Sequence, residues 1–183
     1  MELFLASLRF ISGIGACLLV LAGFGQVSGE PAINSLEALP LVAALDASGF
    51  KSFAAIVVAS GIQNELGETE FTCFAPTDEA LAAIPPTQLQ GFLYDPKGAN
   101  TLRWIKYHFV KSEVCRKSDL GIVREIITWA GVPSYLSITP TKMVLNNVSN
   151  IVEFDLPAKN GIIHGISKAL DPGNQDRPEE RAK

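Results

Sequence analysis

The sequence has little clustered basic charge. Its 183 residues include 15 Lys or Arg against 19 Asp or Glu, a formal net charge of −4, and its longest basic cluster is the pair Arg116-Lys117. Surfaces that bind nucleic acid carry clustered Lys and Arg, and anionic membrane surfaces select the same residues. The composition therefore argues against both kinds of partner.

Residues that could act in catalysis are also scarce. Only His108 and His164 could serve as an imidazole base, and no G-x-S-x-G elbow, G-x-G-x-x-G loop or P-loop is present. Asp78 and Glu79 are adjacent carboxylates, but neighbouring side chains on a helix point about 100° apart, and helix capping explains both. The sequence predicts a protein that is not an enzyme and needs no cofactor.

Cysteine is limited to three residues, of which Cys17 lies in an N-terminal apolar run. The other two, Cys73 and Cys115, could form a disulfide in an oxidising compartment, or they could remain buried thiols. The sequence leaves these alternatives open. No C-x-x-C or H-x-x-x-H pair accompanies them, so no metal site is predicted.

The first 29 residues have the pattern of a secretory signal. Arg9 precedes an apolar run over residues 10–25, and the small residues Val27-Ser28-Gly29 follow it. This run is shorter than the roughly 20 residues that span a bilayer. We expect cleavage between Gly29 and Glu30, in preference to an uncleaved anchor or a lipid on Cys17. The mature protein would then be secreted (periplasmic or at the cell surface if bacterial), without stable membrane insertion.

The mature chain reads as helical in its first half and β in its second half, an α+β composition. Pro40 and Gly61 delimit two helices, Pro76 ends a short apolar strand, and Leu102, Ile105 and Phe109 have helical spacing. Alternating strands are predicted near 135–139, 143–145, 151–155 and 162–166. The polar tail over residues 173–183 is predicted to be disordered.

Three segments in order resemble the fasciclin domain, over residues 30–172. The first contains Phe74-Ala75-Pro76-Thr77-Asp78, the second is Tyr107-His108, and the third runs from Asn160-Gly161 through His164 to Pro172. The resemblance implies a wedge-shaped β-sandwich with helices packed along one edge. Two positions depart from the family pattern: Gly165 stands where an aliphatic residue is usual, and Ser167 where Asp is usual.

The same resemblance implies a function. Fasciclin domains act as non-catalytic modules for cell or extracellular-matrix adhesion, through protein or glycan partners at cell surfaces or in the matrix. Some secreted members carry carotenoids, so a carrier of an apolar small molecule is the alternative. In the family the Tyr-His pair is associated with adhesion, which makes Tyr107 and His108 the candidate binding residues. The competing interpretation is a hydrogen bond within the core.

Three further motif residues have structural interpretations. His164 shares a strand face with Ile162 and Ile166, which predicts a half-buried imidazole bonded to a backbone carbonyl or a hydroxyl. Asn160-Gly161 is predicted to form a tight turn that requires a positive φ.

One modification motif is present. Asn147-Val148-Ser149 is a glycosylation sequon beside a turn, so Asn147 is a candidate glycosylation site if a eukaryote makes the protein.

Overall fold

The structure, a computed structural model, describes residues 39–173. The predicted signal peptide, its cleavage site, the first residues of the predicted domain and the tail after Gly173 lie outside this range. Within it, no helix is long and apolar enough to cross a bilayer.

Seven helices and seven strands make up the described residues. The helices are α1 Leu41–Ala47, α2 Lys51–Ser60, α3 Ile62–Leu66, α4 Asp78–Ala82, α5 Pro86–Tyr94, α6 Ala99–Tyr107 and α7 Lys117–Leu120. The strands are β1 Phe71–Pro76, β2 Phe109–Lys111, β3 Glu125–Ile127, β4 Pro133–Ile138, β5 Met143–Leu145, β6 Ser149–Ala158 and β7 Gly161–Ile166. The predicted α+β composition is confirmed.

Helix ends follow local chemistry with one exception. α1 begins directly after Pro40, and α2 ends at Gly61, whose φ of 75° belongs to the left-handed region that glycine tolerates. The exception is Phe109, which the helical spacing placed in α6. That prediction is wrong: α6 ends at Tyr107, and Phe109 begins β2, where it pairs with Cys73 of β1. Pairing with a strand that is distant in sequence therefore outweighs the helical spacing of the apolar residues.

The seven strands form one sheet in the order β2-β1-β7-β6-β5-β4-β3. β1 and β7 pair in parallel, and the other neighbours are antiparallel. The sheet curls so that its two edge strands, β2 and β3, come together. This contact is seen in a hydrogen bond of 2.6 Å from the backbone N–H of Trp129, just beyond β3, to the carbonyl of Phe109 in β2. The predicted sandwich is thus one continuous, nearly closed sheet, and the wedge fold with accompanying helices is confirmed.

Strand β1 lies between two apolar clusters and is buried along its whole length. Successive strand residues face opposite sides of a sheet. Accordingly Phe71, Cys73 and Ala75 pack with residues of α1 and α2, whereas Phe74 packs with Tyr107, Leu136 and other residues on the opposite side. Double-sided burial explains why the segment has no polar alternation in the sequence.

Candidate functional site

Tyr107, one of the two candidate binding residues, lies wholly inside the protein with 0% of its surface exposed. Its hydroxyl donates to the carbonyl of Pro133 at 3.0 Å and accepts from the side-chain amide of Asn146 at 2.9 Å. Burial raises the pKa of this phenol, and the hydrogen bond from Asn146 opposes that shift. The phenol therefore connects the end of α6 to β4 and to the turn after β5.

Asn146 is a site residue that sequence reasoning did not identify. Its Oδ1 accepts from the backbone N–H of Tyr135 at 2.8 Å and from the Ser134 hydroxyl at 3.3 Å. Its backbone has a φ of 50°, as does that of Asn147 at 54°, in a turn closed by a hydrogen bond from Val148 to Leu145. Asparagine tolerates this left-handed region, and the Asn-Asn pair was a readable signal for the turn. The long-range contacts had no local signal.

His108, the second candidate binding residue, is likewise 0% exposed. Its Nε2 accepts from the backbone N–H of Leu170 at 3.0 Å, so the ring proton lies on Nδ1, which donates to the carbonyl of Trp104 at 2.9 Å. Burial lowers the pKa of His108 to about 4, although the hydrogen bond with Trp104 acts in the opposite direction. The imidazole is neutral and holds the segment after β7 against α6.

Burial corrects the predicted role of the Tyr107-His108 pair. A side chain without exposed surface cannot contact a partner directly, and both of these side chains are bonded to the protein interior instead. The core hydrogen bond, which the sequence left as the competing interpretation, is the one seen in the structure, although the two side chains bond to other groups and not to each other.

His164 is fully buried in β7, more deeply than the half-buried imidazole predicted. Its Nδ1 accepts from the backbone N–H of Asp155 at 3.2 Å, so Nε2 carries the proton and donates to the carbonyl of Cys115 at 2.8 Å. The ring stacks on Phe74, with centroids 5.6 Å apart. Burial lowers the pKa of His164, and the Cys115 carbonyl and the Asp155 charge oppose that shift. This imidazole joins an irregular part of β6 to the loop before α7.

Cys73 and Cys115 are both buried, and their thiols are free. The disulfide alternative is therefore not formed in this structure. Burial raises the pKa of Cys73 well above its ordinary value and that of Cys115 to about 11, so both thiols stay protonated and unreactive at neutral pH.

The residues of the first motif connect neighbouring elements. The Thr77 hydroxyl accepts from the backbone N–H of Ala80 at 3.2 Å and caps α4. The Asp78 carboxylate accepts from the backbone N–H of Ser52 at 2.9 Å, in the first turn of α2. The junction between β1 and α4 thus satisfies backbone donors at the start of both α4 and α2. Asp78 thereby holds α4 against α2.

Gly161 is required for a reason other than the one the sequence suggested. Lys159 and Asn160 are the turn residues, and neither they nor Gly161 has a positive φ. A Cβ on Gly161 would lie 2.2 Å from the backbone oxygen of Phe71. The glycine therefore permits the close approach of β7 to β1, whereas the Asn160 side chain donates to Glu68 at 3.1 Å.

The departure at Gly165 also has a steric cause. A Cβ on Gly165 would lie 2.8 Å from the Cζ of Phe50 and 3.1 Å from the Cβ of Glu153. Phe50 is 2% exposed and packs where an aliphatic side chain at position 165 would project. Phe50 and a larger side chain at position 165 would therefore compete for the same space.

Asn147, in the predicted sequon, is only partly exposed. Ser149 of the same sequon is fully buried, and its hydroxyl donates to the carbonyl of Lys168 at 2.8 Å. Occupancy of the sequon remains a prediction.

Open cavities lie near the motif residues, among them the following three. The first, of about 630 Å³, is lined by charged side chains that include Glu68, Arg116 and Lys159. The other two, of about 400 and 360 Å³, lie on either side of Trp104 and share Gln88 and Asp171. Across residues 39–173, no group of three or more His, Cys, Asp or Glu has an arrangement that could hold a metal ion.

The buried hydrogen bonds of Tyr107, His108 and His164 all lie in the part of the chain that matches a known family. The model of the fasciclin domain matches residues 48–172. The chain belongs to the fasciclin domain family. This range includes β1, the Tyr107-His108 pair and β7.

Known relatives agree with this assignment. The chain is 30% identical over 151 residues to stabilin-1 of Homo sapiens, covering 78% of this chain and 6% of the relative. It is 31% identical over 125 residues to the transforming growth factor-beta-induced protein ig-h3 of Sus scrofa, covering 67% of this chain and 18% of the relative. The chain thus spans less than a fifth of either protein.

A solved structure matches the fold. It is a FAS1 domain pair from the insect cell adhesion molecule fasciclin I, with a TM-score of 0.57 and 17% identity, covering 74% of this chain and 52% of that one. At this identity the match establishes the fold alone.

Proposed function

We propose that this fasciclin domain is a secreted, non-catalytic adhesion module that binds a cell-surface or extracellular-matrix protein or glycan. The observation that carries the proposal is the family match over residues 48–172, which contains both histidines and the candidate tyrosine in core positions. A scaffold whose motif residues hold the fold together leaves its exposed side chains available for binding.

The state of the two imidazoles supports a non-catalytic role. A general base needs a ring nitrogen within hydrogen-bonding reach of a substrate proton. In His108 and His164 both ring nitrogens are already bonded to backbone groups, and both rings have 0% exposure. Protonation or deprotonation of a substrate by either residue would require the core to open.

Similarity to a known family supports an adhesive role, and the predicted secretory signal supports a location outside the cell. The chain belongs to the fasciclin domain family, and adhesion is the role that the family resemblance implies. Because Tyr107 and His108 are inside the core, we place the adhesive contact on other, exposed residues, and we assign the pair the role of stabilising the scaffold.

Attachment of cells to surfaces coated with the secreted protein tests this proposal. We expect wild type to support attachment, heat-unfolded protein to lose it, and Tyr107→Phe to retain it, because the phenol ring stays buried while only its hydroxyl is removed. Folding of each sample is monitored by circular dichroism. Ester, peptide and glycoside substrates, incubated with the same preparations, should give no turnover.

Two results would contradict the proposal. Turnover that disappears in a folded His108→Gln or His164→Gln variant would show that the protein is an enzyme. Loss of attachment in a Tyr107→Phe variant that circular dichroism shows to be folded would place the contact at this residue, against its burial.

The cavities beside Trp104 favour one second candidate, a carrier of an apolar small molecule such as a carotenoid. Their lining includes several apolar side chains, namely Ala80, Ala83, Ile84, Pro85, Phe92, Val148, Ala169 and Leu170. Trp104 itself is only 4% exposed, so it offers a bound molecule little surface. An absorption spectrum of protein purified from its native source distinguishes the two functions, since a carried carotenoid absorbs visible light and an adhesion module does not.

A further inference from the structure

Two lysine side chains lie over the ring of Trp129, at the seam where the segment after β3 meets β2. The ammonium nitrogen of Lys106, in α6, lies 4.9 Å from the ring centroid of Trp129, and that of Lys111, in β2, lies 4.6 Å from it. Both distances are within the range of cation–π attraction. The ring therefore brings two like charges from different elements to one place.

The tryptophan is itself held firmly. It lies in the loop between β3 and β4, where the backbone N–H and the hydroxyl of Thr128 both donate to the carbonyl of Val132, at 3.1 and 2.7 Å. The backbone N–H of Trp129 donates across the seam to Phe109, and its ring packs edge-on against the Phe109 ring, with centroids 6.4 Å apart. Such bracing fixes the position of the indole before any ligand arrives.

The charge of this cluster is only partly neutralised. Glu65 forms a salt bridge of 2.7 Å with Lys106. Lys111 reaches only the backbone carbonyl of Glu65, at 3.4 Å, and forms no salt bridge within residues 39–173. A cation–π contact attracts an ammonium group without removing its charge. The Glu65 carboxylate thus pairs with only one of the two cations, on a protein whose net charge is −4.

The indole offers a further donor. Trp129 is partly exposed, and its ring N–H donates to no atom among the described residues. An indole nitrogen is a donor only, so it suits an acceptor such as a sulfate or carboxylate oxygen.

We infer that Lys106, Lys111 and Trp129 form a binding site for the sulfate group of a sulfated sugar chain. The inference rests on the proposed adhesive function and names its partner class as glycan. Two ammonium groups and one indole N–H are donors of the kind that bind the three terminal oxygens of a negatively charged sulfate group. The site is one aromatic ring wide and has two cations, which fits a single sulfated sugar unit. Nucleic acid would require a longer basic surface than this chain has.

Binding of a purified heparin hexasaccharide, measured by calorimetry, tests the inference. We expect wild type to bind, and the double variant Lys106→Gln, Lys111→Gln to bind at least about tenfold more weakly, because it loses both charges. Lys111→Arg should retain binding, since arginine keeps the charge and the contact with the ring. A desulfated hexasaccharide of the same length should not bind, and inorganic sulfate should compete only at high concentration.

Lys117→Gln is the matched control. The Lys117 ammonium lies 4.5 Å from the ring centroid of Phe154, a cation–π contact of the same kind at another place on the protein. If this variant weakens binding as much as the double variant, attraction is non-specific and the inference is wrong. Equal binding of the desulfated sugar, or none by folded wild type, also overturns it.

The result is separable from the adhesion test because the probe is a purified oligosaccharide. Cell attachment without hexasaccharide binding refutes this site and leaves the adhesive function in place. Hexasaccharide binding without cell attachment supports the site and refutes the adhesive function.

Discussion

The side-chain amide of Asn146 donates to the phenol oxygen of Tyr107 at 2.9 Å, across 39 positions of sequence. This bond joins the last residue of α6 to the turn after β5, and the same asparagine accepts from the backbone of Tyr135. One buried amide therefore satisfies polar groups of both α6 and β4, and the tyrosine of the family motif is fixed by a residue outside the motif.

Removal of this amide should destabilise the fold. Asn146→Gly leaves the Tyr135 N–H unpaired and removes one of the two bonds of the Tyr107 hydroxyl, but it keeps a residue that accepts a φ of 50°. We expect the free energy of unfolding in urea to fall by about 2–4 kcal/mol. Asn146→Ala should cost about 1 kcal/mol more, because alanine adds left-handed backbone strain.

A double-mutant cycle with Tyr107→Phe isolates the bond itself. The two changes together should cost less than the sum of their separate effects, by about 1 kcal/mol. Strict additivity would mean that the contact contributes nothing to stability.

Gly161→Ala should be strongly destabilising, because its Cβ would lie 2.2 Å from the main-chain oxygen of Phe71, which cannot move without separating β1 from β7. We expect a loss of about 3 kcal/mol or more, or failure to fold. Gly91→Ala, in α5, is the control: its added methyl group meets nothing within 4 Å, so it should stabilise the helix by about 0.5–1 kcal/mol. Thermal unfolding of both variants measures the contrast, and a mild effect at Gly161 would refute the close approach.

Gly165 and Phe50 should behave as a compensating pair. Gly165→Ala places a Cβ 2.8 Å from the end of the Phe50 ring, and we expect it to cost about 1–3 kcal/mol of stability in the wild-type background. In a Phe50→Leu background the shorter side chain makes room, so the same substitution should cost less. If the cost of Gly165→Ala is the same in both backgrounds, the two residues do not share this space.

Stability should fall in mild acid because of His108. Its pKa is about 4 in the folded protein, below the ordinary value of 6.5, so the unfolded chain takes up the proton first. The stabilisation from the neutral ring is complete above about pH 6.5 and is lost as pH falls towards 4, by about 1.4 kcal/mol per unit. His164, whose pKa is also lowered, contributes with the same sign.

Urea unfolding at pH 7 and pH 4.5 measures this dependence. His108→Gln retains one donor and one acceptor but does not titrate, so the variant should show a smaller difference between the two pH values than wild type. An unchanged difference would mean that other groups produce the acid sensitivity.

Secretion is tested by the intact mass of the protein recovered outside the cell. The pattern of residues 1–29 predicts a mature chain that begins at Glu30. A mass that retains Met1 to Gly29, or that includes a lipid on Cys17, would contradict the predicted cleavage.

Local chemistry was sufficient to predict most elements of the fold. Pro40 and Gly61 delimit helices because of their own backbone restrictions, and Thr77 caps α4 through a bond to a residue three positions away. These effects act within a few residues, so they can be predicted from neighbouring residues in the sequence. The three motifs, taken in order, were enough to predict the family.

Sequence reasoning failed where a distant segment decides the outcome. Phe109 has helical spacing with Leu102 and Ile105, yet it lies in β2 because Cys73 of β1 pairs with it. Gly161 follows a turn-forming Asn, yet the requirement for glycine comes from Phe71, 90 positions earlier in the chain. Neither partner is marked in the local pattern.

The helix ends, most of the strands and the family could be predicted from the sequence by itself. Backbone preference and side-chain chemistry are properties of each residue and its neighbours, so they need no knowledge of distant contacts. The depth of burial and the bonding partners of Tyr107, His108 and His164 were decided only by the tertiary structure. Whether an imidazole contacts a partner or holds the core depends on which groups the folded chain brings to its two nitrogens. Here those groups are the backbone of Trp104, Leu170, Asp155 and Cys115, which folding alone places beside the two rings.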